Sequence, residues 1–141
     1  MLSKAWAGDW EISQGFGVNA GYYSRFGLAG HEGIDIAMPA GTELFAPASG
    51  EVVEVGLNVG SYGYYVKLRT EAGEDYLLAH MLPYDLPRPG TWLATGARLG
   101  WSGSSGNSTG PHLHAGYRPV HWTRGWPYNG WADPYPQLVP G

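Results

Sequence analysis

A chain of 141 residues carrying 8 Lys and Arg against 12 Asp and Glu, a formal charge of -4, is sized for one domain with one core. With 43% apolar and 14% aromatic residues it is not a disordered polymer, and the lack of cysteine excludes disulfides, thiolate-held zinc and thiol nucleophiles together. The acidic balance offers no Lys/Arg stripe for a phosphate backbone, which argues against nucleic acid as a partner.

The opening MLSKAWAGDWEI has no apolar run of signal-peptide length, and no stretch later in the chain is long and apolar enough for a membrane span, so neither is expected. Gly (23) and Pro (11) make up about a quarter of the chain, and short alternating runs recur between them, which is an all-β rhythm. Strands are expected at 10–13, 33–37, 43–45, 51–55, 64–69, 75–82 and 113–117, with a long Gly/Tyr/Phe-rich loop after the first. In EVVEV and YYVKLRT the β-branched and aromatic residues fall at period two, and TEAGED reads as the turn of an antiparallel hairpin. PYDLPRPGT and SGSSGNSTG carry too many breakers for any helix and are read as loops. From Val120 the sequence loses all period, and an irregular arm (119–141) packed on a motif-bearing core (about 12–118) is expected within a single domain, 1–141.

Four of the five histidines fall in three clusters: His31 with Asp35 in HEGID, His80 in LLAHM, and His112 with His114 in PHLHA. Residues two or four apart on a strand share a face, so both His31 with Asp35 and His112 with His114 point together if those segments are extended. Two imidazoles and a carboxylate can supply three of zinc's four tetrahedral ligands and leave the fourth for water, the pattern of a catalytic site. HE at 31 and 32 begins like the helical HExxH motif, but position 35 is Asp and that motif fails. Glu32 is then expected on the opposite side of the strand as a solvated residue without a catalytic role, and His121, outside every motif, as a surface residue.

The ordered set His31-Glu32-Gly33-Ile34-Asp35, PAGTELFAPASG, Ala79-His80 and SGSSGNSTGPHLH resembles the LytM/lysostaphin-type zinc endopeptidases of peptidoglycan, peptidase family M23. The resemblance implies a compact antiparallel all-β structure of the barrel-sandwich hybrid (duplicated hybrid motif) type, with a groove over one sheet. It further implies one Zn2+ held by His31, Asp35 and His114, with His80 and His112 as the catalytic, non-ligand histidines. The substrate would be the peptide part of peptidoglycan, and the chain would act as a monomer, extracellularly at the cell wall or delivered by a phage. Where relatives continue HLHFE, this chain reads HLHAGYRP, so packing behind the last strand must differ. With few residues before His31 to block it, the fourth metal position is expected to be open and water-bound, with Asn19 as a candidate occluder.

Zinc bound in this way lowers the pKa of its water toward about 7 and polarises the scissile carbonyl. With no Glu in the helical-protease position, His112 is the expected general base and His80 the group that hydrogen-bonds the developing charge, the two acting as a coupled pair. Tyr22, Tyr23 and Arg25, in the loop leading to HEGID, are candidate oxyanion or substrate donors, the competing reading being loop aromatics that cover the core. Loop 102–110 lacks the GK[ST] of a phosphate loop and reads as a groove wall whose Gly and Ser let a peptide backbone approach. The sequon at Asn107 is taken as coincidental, and Trp101, Trp122, Trp126 and Trp131 as core or groove rim. APASGEVVEVG resembles a biotinyl or lipoyl hairpin, but neither Lys4 nor Lys67 has the setting of a modified lysine. The alternative that keeps the fold is an inactive wall-binding or hydrolase-activating module.

Overall fold

The computed structural model describes residues 4–106 and 108–138. Nine strands run in chain order: β1 (Ile12–Gln14), β2 (Ile34–Ala37), β3 (Glu43–Phe45), β4 (Gly50–Val59), β5 (Gly63–Arg69), β6 (Asp75–Met81), β7 (Trp92–Leu93), β8 (Arg98–Trp101) and β9 (His112–Arg118). Seven of them form one sheet in the order β1-β2-β9-β6-β5-β4-β7, every neighbouring pair antiparallel, while β3 and β8 form a separate antiparallel ribbon. The all-β expectation holds. No helix among the described residues is long and apolar enough to cross a membrane.

Period-two alternation explains why the large sheet has two unlike faces. Ile34 and Ile36 of β2, Val66 and Leu68 of β5, Tyr76 and Leu78 of β6, and Leu113 and Ala115 of β9 all enter one buried cluster. The β3–β8 ribbon closes that cluster from the other side with Leu44 and Leu99, joined by Ala5 and Trp6 from the chain's start. Removing such side chains from water is the main source of stability, at roughly 25 cal/mol per Å² of apolar surface. The opposite face carries Leu77 and Ala79 under Trp131, and beside them the histidines.

The TEAGED turn is found as read: Arg69 pairs with Asp75, and Thr70 N–H donates to the Glu74 carbonyl. Three features differ from the sequence reading. β7 and β8 were not expected, and β4 runs on to Val59 because two register shifts against β5 absorb the residues that break its alternation. The loop after β1 coils into a short helix α1 (Ala20–Tyr23) and a 3-10 turn (Ser24–Phe26). The arm after β9 is packed down, since Ala132 bridges to Tyr117 and a second short helix, α2 (Tyr135–Leu138), buries Leu138 in the main core.

Leu113 sits between the two histidines of β9 with its side chain fully in the core. Leu113→Ala is expected to cost roughly 2–5 kcal/mol of unfolding free energy, read as a lower urea midpoint. A midpoint equal to the parent's would mean that β9 is not anchored through this side chain.

Candidate metal centre and its cleft

On β9 the core takes Leu113 and Ala115, so His112 and His114 face the other way. Asp35 is the direct cross-strand partner of His114, and Ala37 that of His112, which turns the Asp35 carboxylate to the same side. On the other flank Ala79 pairs with His114, and strict alternation would send the next residue, His80, into the core. That does not happen, because the β5–β6 register moves from Val66↔Leu78 to Tyr64↔Met81, which gives β6 one extra residue. His80 takes a φ of 61° in this bulge, Met81 returns to the core, and the imidazole stays on the histidine face. A left-handed conformation at a residue with a Cβ costs roughly 1–2 kcal/mol, and here it re-aims one imidazole toward the cleft.

His31 reaches the same place by another route than the sequence reading supposed. The strand starts only at Ile34; His31 belongs to the preceding loop, whose backbone is tied to Gly17 and Val18. Its Nδ1 lies 3.1 Å from the Gly15 carbonyl, which can only accept, so the proton sits on Nδ1 and a lone pair on Nε2 faces the site. Gly33 is required by a close approach: a Cβ there would lie 2.4 Å from the Ala115 carbonyl oxygen and 2.9 Å from His114 Nε2. The His114 ring is held on its other side by Tyr62, stacked at 5.3 Å with an interplanar angle of 26°.

Three donor atoms converge here. Asp35 Oδ1 is 3.2 Å from His31 Nε2 and 3.0 Å from His114 Nδ1, and the two nitrogens are 3.1 Å apart. A tetrahedral ion with bonds of about 2.0–2.1 Å has edges of roughly 3.3 Å, so this triangle fits one face of such a site closely. Burial alone would push the Asp35 carboxyl up, but hydrogen bonds from His114 and His31, donated when those rings carry a proton toward it in the absence of a metal ion, outweigh burial and hold the acid well below its usual range. Burial likewise pulls His31 down, and it is outweighed by Asp35, by the Gly15 carbonyl and by the charge of Glu32, so that His31 ends above its ordinary value. The pair therefore attracts a cation, either a proton or a metal ion.

The triangle opens into a cleft of about 630 Å³ that also exposes His80, His112, Tyr22, Tyr23 and Asn19. His80 Nδ1 donates to the Ser105 carbonyl at 2.7 Å and His112 Nδ1 to the Gly110 carbonyl at 2.9 Å, which leaves each with a lone pair on Nε2. Burial, the largest influence on His80, pushes it down to about 4, and the neighbouring imidazoles His114 and His112 add to this. Tyr23 lies over His31 at 5.3 Å; burial and then the charges of Glu32 and Asp35 push its phenol up to about 12, so it stays a donor. Arg25 does not line the cleft; its guanidinium stacks on Tyr22 at 4.5 Å and its Nε donates to the Tyr22 carbonyl. Asn19 is exposed at the rim with a φ of 59°, at the start of α1.

One reading needs correction and two are narrowed. Glu32, taken as a solvated residue, is only 9% exposed and lies in the cleft, close enough to His31 and His114 to complete an alternative three-residue metal set. The reason is that it precedes the strand, so strand alternation does not apply to it. Loop 102–110 does supply wall residues, Ser108 and Thr109, but its glycine at 106 is there for packing: a Cβ on Gly106 would lie 2.5 Å from the backbone nitrogen of Gly63. Ser105 of the same loop also braces His80 from behind, its hydroxyl donating to the Met81 carbonyl at 2.7 Å. None of the four tryptophans rims this cleft. Trp131 is core, and Trp122, Trp126 and Trp131 line a separate hollow of about 270 Å³. Tyr62 was missed, and nothing in its sequence neighbourhood signals it. His121 is exposed as read, and Asn107 lies outside the described residues.

The model of peptidase family M23 matches residues 29–129, and the chain belongs to this family. It is 36% identical over 104 residues to an uncharacterised metalloprotease of Haemophilus influenzae, covering 73% of this chain and 22% of the relative. It is 35% identical over 106 residues to the peptidoglycan DD-endopeptidase ShyA of Vibrio cholerae, covering 74% and 24%. The structure of the antimicrobial peptidase lysostaphin from Staphylococcus simulans superposes with a TM-score of 0.75 at 28% identity, covering 92% of this chain and 50% of that one. The chain thus spans about a quarter or less of the length of these two sequence relatives.

Gly33→Ala is expected to push the His114 ring off its position and lower metal affinity about tenfold, measured by competition with a chromogenic chelator. Unchanged affinity would show that the ring does not rest on Gly33. The depressed His80 gives a pH dependence of definite sign. In the unfolded chain His80 protonates near pH 6.5 and in the folded chain near 4, so the unfolded state holds the extra proton between those values. In chelator-treated protein, stability contributed by His80 is full above pH 6.5 and is lost as the pH falls toward 4. His80→Asn, which tolerates positive φ, should flatten the urea midpoint across this window, and equal slopes for the two proteins would refute the shift.

Proposed function

We propose that this chain is a zinc-dependent endopeptidase that hydrolyses peptide bonds in the cross-bridges or cross-links of bacterial peptidoglycan, working at the bacterial wall as a single peptidase unit. The observation that carries the reading is the convergence of His31 Nε2, Asp35 Oδ1 and His114 Nδ1 within 3.2 Å at the floor of an open cleft, with two further imidazoles beside them. Family membership and relatives that are named as peptidoglycan endopeptidases support it. Two imidazole nitrogens and one carboxylate oxygen in a tetrahedral arrangement suit zinc best among the common divalent ions.

His31, Asp35 and His114 would hold a zinc ion, which would supply a Lewis acid for the scissile carbonyl and an acidified water. His112 is the proton carrier: its Nε2 lone pair faces the centre, and the Asp35 Oδ2 at 3.7 Å stabilises the imidazolium that forms when it takes a proton. The same Nε2–H then delivers that proton to the leaving amine. His80 differs from its expected role. With Nδ1–H committed to Ser105 and burial keeping the ring neutral, its Nε2 accepts a hydrogen bond and orients the attacking water. Donation toward the developing oxyanion falls to the phenol of Tyr23, held protonated at the cleft wall. Ser108 and Thr109 on one wall and Tyr22, Phe26 and Leu28 on the other shape a groove for an extended peptide of small residues.

Purified protein should contain one zinc per chain, lose wall hydrolysis in chelator and regain it when zinc is restored. His112→Ala should abolish release of muropeptides, followed by mass spectrometry, while keeping the metal; His31→Ala should lose the metal itself. A protein that binds walls but releases no fragments, with or without zinc, would instead be a wall-binding module.

A further inference from the structure

For the Nδ1 of His114 to offer a lone pair to a metal ion held beside His31 and Asp35, the neutral ring must carry its single proton on Nε2. That nitrogen is buried and has no hydrogen-bond partner among the described residues. A buried N–H without an acceptor is costly, and a ring with nothing on its far nitrogen is free to choose the wrong tautomer. The acceptor at hand is Glu32, whose Oε1 lies 3.6 Å from His114 Nε2. The Glu32 side chain is almost wholly buried, and its charge is felt across the cleft at Tyr23 and Tyr62. Closing to a charge-assisted hydrogen bond of about 2.8 Å takes a movement of less than about 1 Å. Gly33, next to Glu32, is the residue on which the His114 ring lies, so the same short loop sets both the height of the ring and the acceptor at its far edge.

We propose that Glu32 is a positioning residue for the metal centre: its carboxylate accepts the Nε2–H of His114 and thereby fixes both the tautomer and the tilt of that ring, leaving Nδ1 as the ligand atom. Glu32 approaches His114 at Nε2 while Asp35 approaches it at Nδ1, and the alternative set that Glu32 could complete with His31 and His114 is told apart by the test below. The inference rests on the metal-site reading above. Carboxylates that accept from a ligating histidine contribute roughly 10–100-fold to metal affinity.

The test uses zinc and cobalt(II) with the parent protein, Glu32→Gln, Glu32→Ala and Asp35→Ala. Zinc affinity is read by chelator competition, ligand geometry by the visible d–d bands of the cobalt form, and folding by circular dichroism of the metal-free proteins. Glu32→Ala is expected to bind one zinc about 10–100-fold more weakly and to shift the cobalt bands. Glu32→Gln, whose amide oxygen still accepts but without charge, should fall between it and the parent. Asp35→Ala should lose far more. A folded Glu32→Ala with parental affinity and cobalt bands overturns the proposal while leaving the metal site standing. A loss as large as that of Asp35→Ala overturns it in favour of direct ligation. A parent protein that binds no zinc overturns the metal-site reading, and this inference falls with it.

Discussion

The pairing register of β9 between β2 and β6 is the constraint on which the site depends. In that register Asp35 and Ala79 both stand opposite His114, and Ala37 opposite His112. The strand then divides its side chains cleanly, Leu113 and Ala115 into the core and the histidines into the cleft. A slip of one residue would bury both imidazoles and expose Leu113, destroying core and site together. The energy that holds the register is therefore hydrophobic, while its product is the placement of three polar atoms within hydrogen-bonding distance of one another. Clustering buried polar groups in this way is unfavourable unless something is shared among them, and a cation is what two lone pairs and a carboxylate can share.

Around this fixed strand the protein uses three local departures from regular structure. His31 is delivered by a loop, tied by its backbone to Gly17 and Val18 and by its ring to Gly15. His80 is kept in the cleft by a bulge with a left-handed residue. Gly33 gives up a side chain so that β9 and the His114 ring can lie against the HEGID backbone. Each departure costs some local stability, and each moves or seats one imidazole, in keeping with the tendency of strain to concentrate at functional sites.

These same departures mark the limit of what the sequence discloses. The alternation in EVVEV and YYVKLRT and the apolar run of DYLLAHM give the central strands directly, and the i, i+2 spacing of HLH gives the face that His112 and His114 share. The β8 segment Arg98–Trp101 carries no alternation, because a two-stranded ribbon has a single neighbour and Gly100 interrupts it, so it was invisible. Glu32 was misplaced because a strand period was extended three residues beyond the strand's true start at Ile34. Tyr62 belongs to the turn between β4 and β5, and only the folded hairpin brings its ring onto His114, some fifty residues away in sequence.

The bracing of His80 by Ser105 ties two properties that are usually treated as separable. The segment that presents Ser108 and Thr109 to the cleft is continuous with the carbonyl that sets the His80 tautomer and with the hydroxyl that clamps the Met81 backbone. Transplanting this loop from a relative in order to reshape the cleft wall would also exchange the support beneath the imidazole. The shape of the cleft and the seating of the imidazole would then drift together, and a useful graft has to keep a serine at 105 and the glycine pair at 63 and 106.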